Sequence, residues 1–264
     1  MCTGHVIGII GGVGTGKSTV LGILRDKYGA EIIEADAVGH DLMKRGEILY
    51  REELAFFGVE ILDASGEIDR KKLGEIVFSD KDKLKVLNDM AHPAIREEIA
   101  RRLEAWRKDA ARQNEKPQMD SDAKQRKSAG EGQSEKTDSE QEVQSTVGEA
   151  GAEQEALQLS EKGSVCKGFH LAVLEAALPE EAGMPDFCER LWAVTVPLEV
   201  RIKRLMDGRG YSREKCIGII SSQRSDEEFE AMADAVIDNG GSVEDTERQL
   251  DALVKELENI NQTR

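Results

Sequence analysis

Apolar residues along this chain fall into two kinds of run. Short, largely β-branched stretches without polar alternation occur at Val6 to Ile10, Ala30 to Ile33, Leu171 to Leu174 and Leu191 to Val196. Runs of that length read as strands buried on both faces, the mark of a parallel sheet. Elsewhere the apolar spacing changes to three and four. One helix is expected from about Lys17 to Tyr28, with Gly29 as its stop. A mainly helical stretch, 41–106, carries Leu84, Leu87, Ile95, Ile99 and Leu103 at helical intervals. A last amphipathic helix, 242–260, starts near Ser242 and keeps Leu250, Leu253, Val254 and Leu257 on one face. Strands alternating with helices predict an α/β fold of three layers, a parallel sheet covered on both faces, with 41–106 as an inserted helical subdomain.

The stretch 107–168 breaks the pattern. It lacks Phe, Tyr and Trp and is rich in Glu, Lys, Gln, Ser and Gly. Such a composition buries too little apolar surface to offset ordering entropy, so a disordered low-complexity insert is expected, with transient helix near Glu153 to Leu159. The formal net charge of −16 fits a solvated acidic segment and disfavours nucleic acid or an anionic membrane as partner. The four cysteines, Cys2, Cys166, Cys188 and Cys216, stand far apart without a C-x-x-C pair, which suggests neither a zinc site nor a disulfide framework. No export signal or membrane-length apolar run is evident at the amino terminus, so a cytoplasmic chain with reduced thiols is expected.

Candidate chemistry begins where the first strand ends. Gly11-Gly12-Val13-Gly14-Thr15-Gly16-Lys17-Ser18-Thr19 fits G-x-x-x-x-G-K-S/T between a buried strand and a helix start. Glycines there let successive N–H groups turn inward, forming an anion cradle at the positive end of the helix. Gly12, Val13, Gly14, Thr15, Gly16, Lys17, Ser18 and Thr19 are thus the expected ATP-contacting positions. Lys17 would reach the β- and γ-phosphates, and the Ser18 hydroxyl would ligate magnesium. Asp36 follows the second strand, where a carboxylate can accept the proton of an attacking hydroxyl. The sequence has no N-K-x-D-like guanine-reading motif, which argues against a nucleotide-hydrolysing switch, while other nucleoside or nucleotide kinases of the fold remain an alternative.

Beyond the phosphate loop the chain resembles the dephospho-coenzyme A kinases. Glu34-Ala35-Asp36 looks like their D-A-D motif, and Phe57-Gly58, Gly66-Glu67-Ile68-Asp69-Arg70, Leu73, Phe78, Leu87-Asn88 and His92-Pro93 follow in that family's order. Val173 to Leu178, Glu181-Ala182-Gly183, Arg204, Gln223 and Ala233 to Asn239 continue the likeness after 107–168. The resemblance implies a P-loop kinase with a helical acceptor-binding subdomain and a helical lid over 201–230. It implies ATP and dephospho-coenzyme A as substrates, magnesium as cofactor, and a monomer or weak homo-oligomer. By position it makes Asp36 the base, Lys17 and Arg204 the catalytic cations, Arg70 and His92 acceptor-pocket residues, and Asn239 part of the adenine side. Three positions depart from the family pattern: Gly208 where an arginine is usual, with Arg209 next to it; Phe229 where a basic residue is common; and Pro179-Glu180 in place of an apolar pair.

Overall fold

The computed structural model describes residues 4–115 and 169–262. Strand β1 (Gly4–Ile10) is followed by α1 (Lys17–Tyr28) and β2 (Glu31–Glu34). Helices α2 (Ala35–Leu42), α3 (Ile48–Phe57), α4 (Arg70–Phe78) and α5 (Lys81–Glu115) come next. After them lie β3 (His170–Glu175), the short α6 (Met184–Phe187) and β4 (Arg190–Thr195). The chain closes through α7 (Leu198–Arg209), α8 (Arg213–Ser221), α9 (Asp226–Met232), β5 (Ala235–Asp238) and α10 (Val243–Gln262).

All strand pairs are parallel, in the order β2-β3-β1-β4-β5, so the expected three-layer sheet is present. Alternation along β1 sends Val6 and Ile10 to one face and Ile7 and Ile9 to the other, all four fully buried. On the first face they meet Val38 of α2, Ile99 and Leu103 of α5, and Phe229 of α9. On the second they meet Val20, Leu21 and Leu24 of α1 and the expected stripe of α10. Ser242 caps α10: its Oγ accepts from the Asp245 N–H at 3.1 Å, while the Asp245 carboxylate accepts from the Ser242 N–H at 3.2 Å. Helices α3 and α4 and the first half of α5 enclose a second small core around Phe57, Ile61, Leu73 and Val77.

Helical structure begins earlier and ends later than 41–106. Helix α2 starts directly after β2, which puts Asp36 in a helical first turn. Helix α5 runs unbroken through Pro93 and on to Glu115, so positions 107–115, expected to be disordered, are helical. Local charge pairs explain this: Glu104 with Lys108 and Asp109 with Arg112 support a polar helix, and Ala110 is buried. Positions 116–168, including the helix expected near Glu153 to Leu159, lie outside the described residues. Among the described residues no helix is long and apolar enough to cross a membrane.

Candidate active site

The phosphate loop is short of room, and its glycines are there for that reason. Gly16 caps α1 at φ 85°, and a Cβ on it would lie 2.2 Å from Asn239 Nδ2. A Cβ on Gly12 would lie 2.2 Å from Arg201 Nη2. These neighbours hold the loop in shape. Asn239, buried, donates from Nδ2 to the Thr15 carbonyl at 2.8 Å and accepts at Oδ1 from the Thr246 hydroxyl at 3.0 Å. Arg204 donates to the Thr15 carbonyl at 3.2 Å and to the Asn239 carbonyl at 2.9 Å. Arg201 donates from Nε to the Val13 carbonyl at 3.0 Å and pairs with Asp226 at 2.7 Å. Gln223 Oε1 accepts from the Val13 N–H at 2.8 Å.

A cavity of about 630 Å³ opens over the loop. Seven of the eight expected loop contacts line it; Thr15 is fully buried instead, its hydroxyl donating to the Gly12 carbonyl at 3.0 Å. Lys17 Nζ donates to the Gly11 carbonyl at 2.8 Å and lies 3.4 Å from Glu175 Oε1. The strand order explains this pair. β3 lies between β1 and β2, and register sets Glu175 opposite both Ile9 and Glu34, so the carboxylate emerges beside the loop. Burial pushes the Glu175 carboxyl up from its ordinary range; Lys17 pulls it down, and the charges of Asp36 and Glu34 push it further up. Ser18 and Glu175 both face this cavity, and among the described residues no group of three or more His, Cys, Asp or Glu side chains could cage a metal. Few protein oxygens beside an anion cradle is the donor set that suits magnesium, which takes its remaining oxygens from phosphates and water.

A second cavity of about 140 Å³ brings together Asp36 and His92 with Glu181. Arg70 is not with them. It stands exposed at the first position of α4 and lines neither cavity. The arginines of the expected lid separate: Arg204 and Arg209 line the loop cavity beside Gly208, Arg201 is buried behind the loop, and Arg213 is held by Glu199 at 2.6 Å on the surface. Glu175 and the loop-bracing role of Arg201 went unassigned from sequence. The signal for Glu175 was its place as the first charged residue ending an apolar strand.

A strand–loop–helix cradle following the central parallel strand, with lysine, serine and carboxylates at the carboxyl ends of the strands, defines a nucleotide-binding P-loop kinase. The family model described as "CoaE: Dephospho-CoA kinase" matches residues 5–160 and 154–245. A protein of Carboxydothermus hydrogenoformans named dephospho-CoA kinase is 32% identical over 245 residues, covering 93% of this chain and 90% of the other. The chain therefore belongs to the dephospho-CoA kinase family. Among solved structures, TT1252 from Thermus thermophilus matches at a TM-score of 0.60 with 27% identity, covering 97% of this chain and 98% of that one. A dephospho-CoA kinase from Campylobacter jejuni shares the fold at a TM-score of 0.54 and 21% identity, covering 98% and 100% of the two chains.

Proposed function

We infer that this chain transfers the γ-phosphoryl group of ATP to the ribose 3′-hydroxyl of dephospho-coenzyme A, giving coenzyme A and ADP. The observation that carries the reading is the position of Asp36: it lines the smaller cavity from the first turn of α2, directly after Glu34, which lines the loop cavity together with Lys17 and Glu175. A hydroxyl brought to the Asp36 end of the smaller cavity thus meets a base two residues along the chain from a wall of the phosphate cradle.

The steps follow from that arrangement. Loop N–H groups and the α1 N-terminus hold the phosphates of ATP, and Lys17 moves from the Gly11 carbonyl and Glu175 onto their oxygens. Asp36 takes the proton of the 3′-hydroxyl as the new O–P bond forms and the bond to the β–γ bridging oxygen breaks. Arg204 and Arg209 offset charge on the transferred group and the departing ADP. Magnesium, held through Ser18 and the phosphate oxygens, would neutralise those same oxygens. Asn239 acts on the loop rather than on the nucleotide, and His92 forms a wall of the acceptor pocket. A monomer or weak homo-oligomer acting in the cytoplasm completes the reading.

A coupled ADP-release assay across dephospho-coenzyme A, nucleosides and nucleoside monophosphates tests the reading. Dephospho-coenzyme A should lead in kcat/KM by about 100-fold or more, a preference on the order of what one well-fitted pocket supplies. A nucleoside monophosphate in first place would overturn it.

A further inference from the structure

The cavity that holds Asp36 has a second carboxylate for which the steps above have no use. Glu181 lines it, and Glu181 Oε2 is buried with no hydrogen-bond partner among the described residues. A buried acceptor left unpaired costs free energy, and because this one lines a cavity a donor supplied from outside the chain can relieve that cost. The segment that carries it is fixed: Arg224 grips the neighbouring Glu180 with two bonds of 2.9 and 3.0 Å, and the Ala182 N–H donates to the Leu178 carbonyl at 3.1 Å.

The rest of the cavity says what brings the donor. Ile95, Ala176 and Leu178 give it apolar walls, and its volume of about 140 Å³, the space of roughly five waters, admits one ring system and not the whole acceptor. An aromatic ring buries its faces against those walls and keeps its polar edge for the carboxylate. We propose that Glu181 is a specificity-determining residue whose carboxylate accepts a hydrogen bond from the exocyclic amine of the acceptor's adenine. The base is thereby clamped so that the ribose 3′-hydroxyl is presented to Asp36. This rests on the dephospho-coenzyme A reading above, and it adds which edge of the acceptor is read and by what.

The test compares wild type, Glu181→Gln and Glu181→Ala on three acceptors: dephospho-coenzyme A, its hypoxanthine counterpart and its 2′-deoxy counterpart. Hypoxanthine places a carbonyl oxygen where adenine has the amine. Wild type should prefer adenine over hypoxanthine by about 30-fold or more in kcat/KM, since an unmatched buried acceptor rejects the analogue. Glu181→Gln, whose amide both accepts and donates, should turn over the adenine acceptor and narrow the preference to less than about fivefold. Glu181→Ala should narrow it likewise by raising the KM for dephospho-coenzyme A, with the KM for ATP unchanged. Equal losses on all three acceptors would mark a merely structural residue and overturn the proposal. So would a preference that narrows for the 2′-deoxy acceptor instead. If wild type fails to phosphorylate dephospho-coenzyme A at all, the reading of function falls and this assignment with it. If wild type turns it over and the base preference survives both substitutions, the assignment alone falls.

Discussion

Replacing Glu53 by glutamine should stabilise this protein at pH 8 and do little at pH 4. Glu53 sits on α3 with 1% of its surface exposed, and its Oε2 has no hydrogen-bond partner among the described residues. Burial, with a smaller push from Glu52, drives its carboxyl from 4.5 up to about 7. Below about pH 4.5 both folded and unfolded chains hold the proton, and the group contributes nothing to pH dependence. As pH rises the unfolded chain gives up the proton first, so stability falls through this window until the folded group also ionises above about pH 7. A separation of about 2.5 units at about 1.4 kcal/mol each gives a loss of about 3 kcal/mol. Glutamine keeps the shape and removes the charge. The stability gap between variant and wild type, read from urea melts at half-unit intervals from pH 4 to 8, should widen by about that amount and level off. In a protein of this size it corresponds to a rise of about 6–12 °C in relative Tm. All other titrating groups are common to the two proteins and cancel. A gap that stays flat within about 0.5 kcal/mol across the range would refute the reasoning, because a carboxylate able to ionise freely there is not buried.

Lys17→Ala should cut kcat by about two to three orders of magnitude while far-ultraviolet circular dichroism stays that of wild type, since the side chain lines the loop cavity rather than the core. Asp36→Asn should leave the Kd for ATP intact and lower kcat by about two to four orders of magnitude; weakened ATP binding with kcat unchanged would make the residue positional. Asn239→Ala removes the bond that braces the Thr15 carbonyl and should cost about 1–3 kcal/mol of stability together with ATP affinity, both measurable by calorimetry. Replacing 116–161 with a short Gly/Ser linker should change neither Tm nor acceptor turnover by more than about 1 kcal/mol accounts for, because every assigned site residue lies outside it and loop closure depends weakly on length.

Strand β5, only four residues long, came with the family resemblance. Local pattern carried the other four of the five strands, the phosphate loop and Lys17, because each depends on residues next to one another in the chain. Strand order does not. The neighbouring of β3 with both β1 and β2 joins residues some 165 and 140 positions apart, respectively, and only that register turns Glu175 from the last residue of an apolar run into the partner of Lys17. The arginines make the same point. Arg201, Arg204, Arg209 and Arg213 read as one basic group, yet helical rotation buries the first behind the loop, turns the next two to the cavity and leaves the last with Glu199. Nor could the span of α5 be read past Trp106, since polar composition hides a helix that is sustained by its own charge pairs.

Helix α5 is a beam. Its 35 residues extend about 50 Å; Leu84, Leu87 and Met90 near one end pack into the small core of α3 and α4, while Ile99, Leu103 and Trp106 are keyed into the sheet. Between these anchorages sits Pro93, which has no N–H to give the Asp89 carbonyl and so leaves one strut out of the lattice. Bending therefore concentrates at that turn, and the adjoining His92 and Ile95 are walls of the cavity that holds Asp36. Any tilt of the small core of α3 and α4 against the sheet has its fulcrum at that cavity, so the arm that swings and one wall of the cavity are a single piece of backbone.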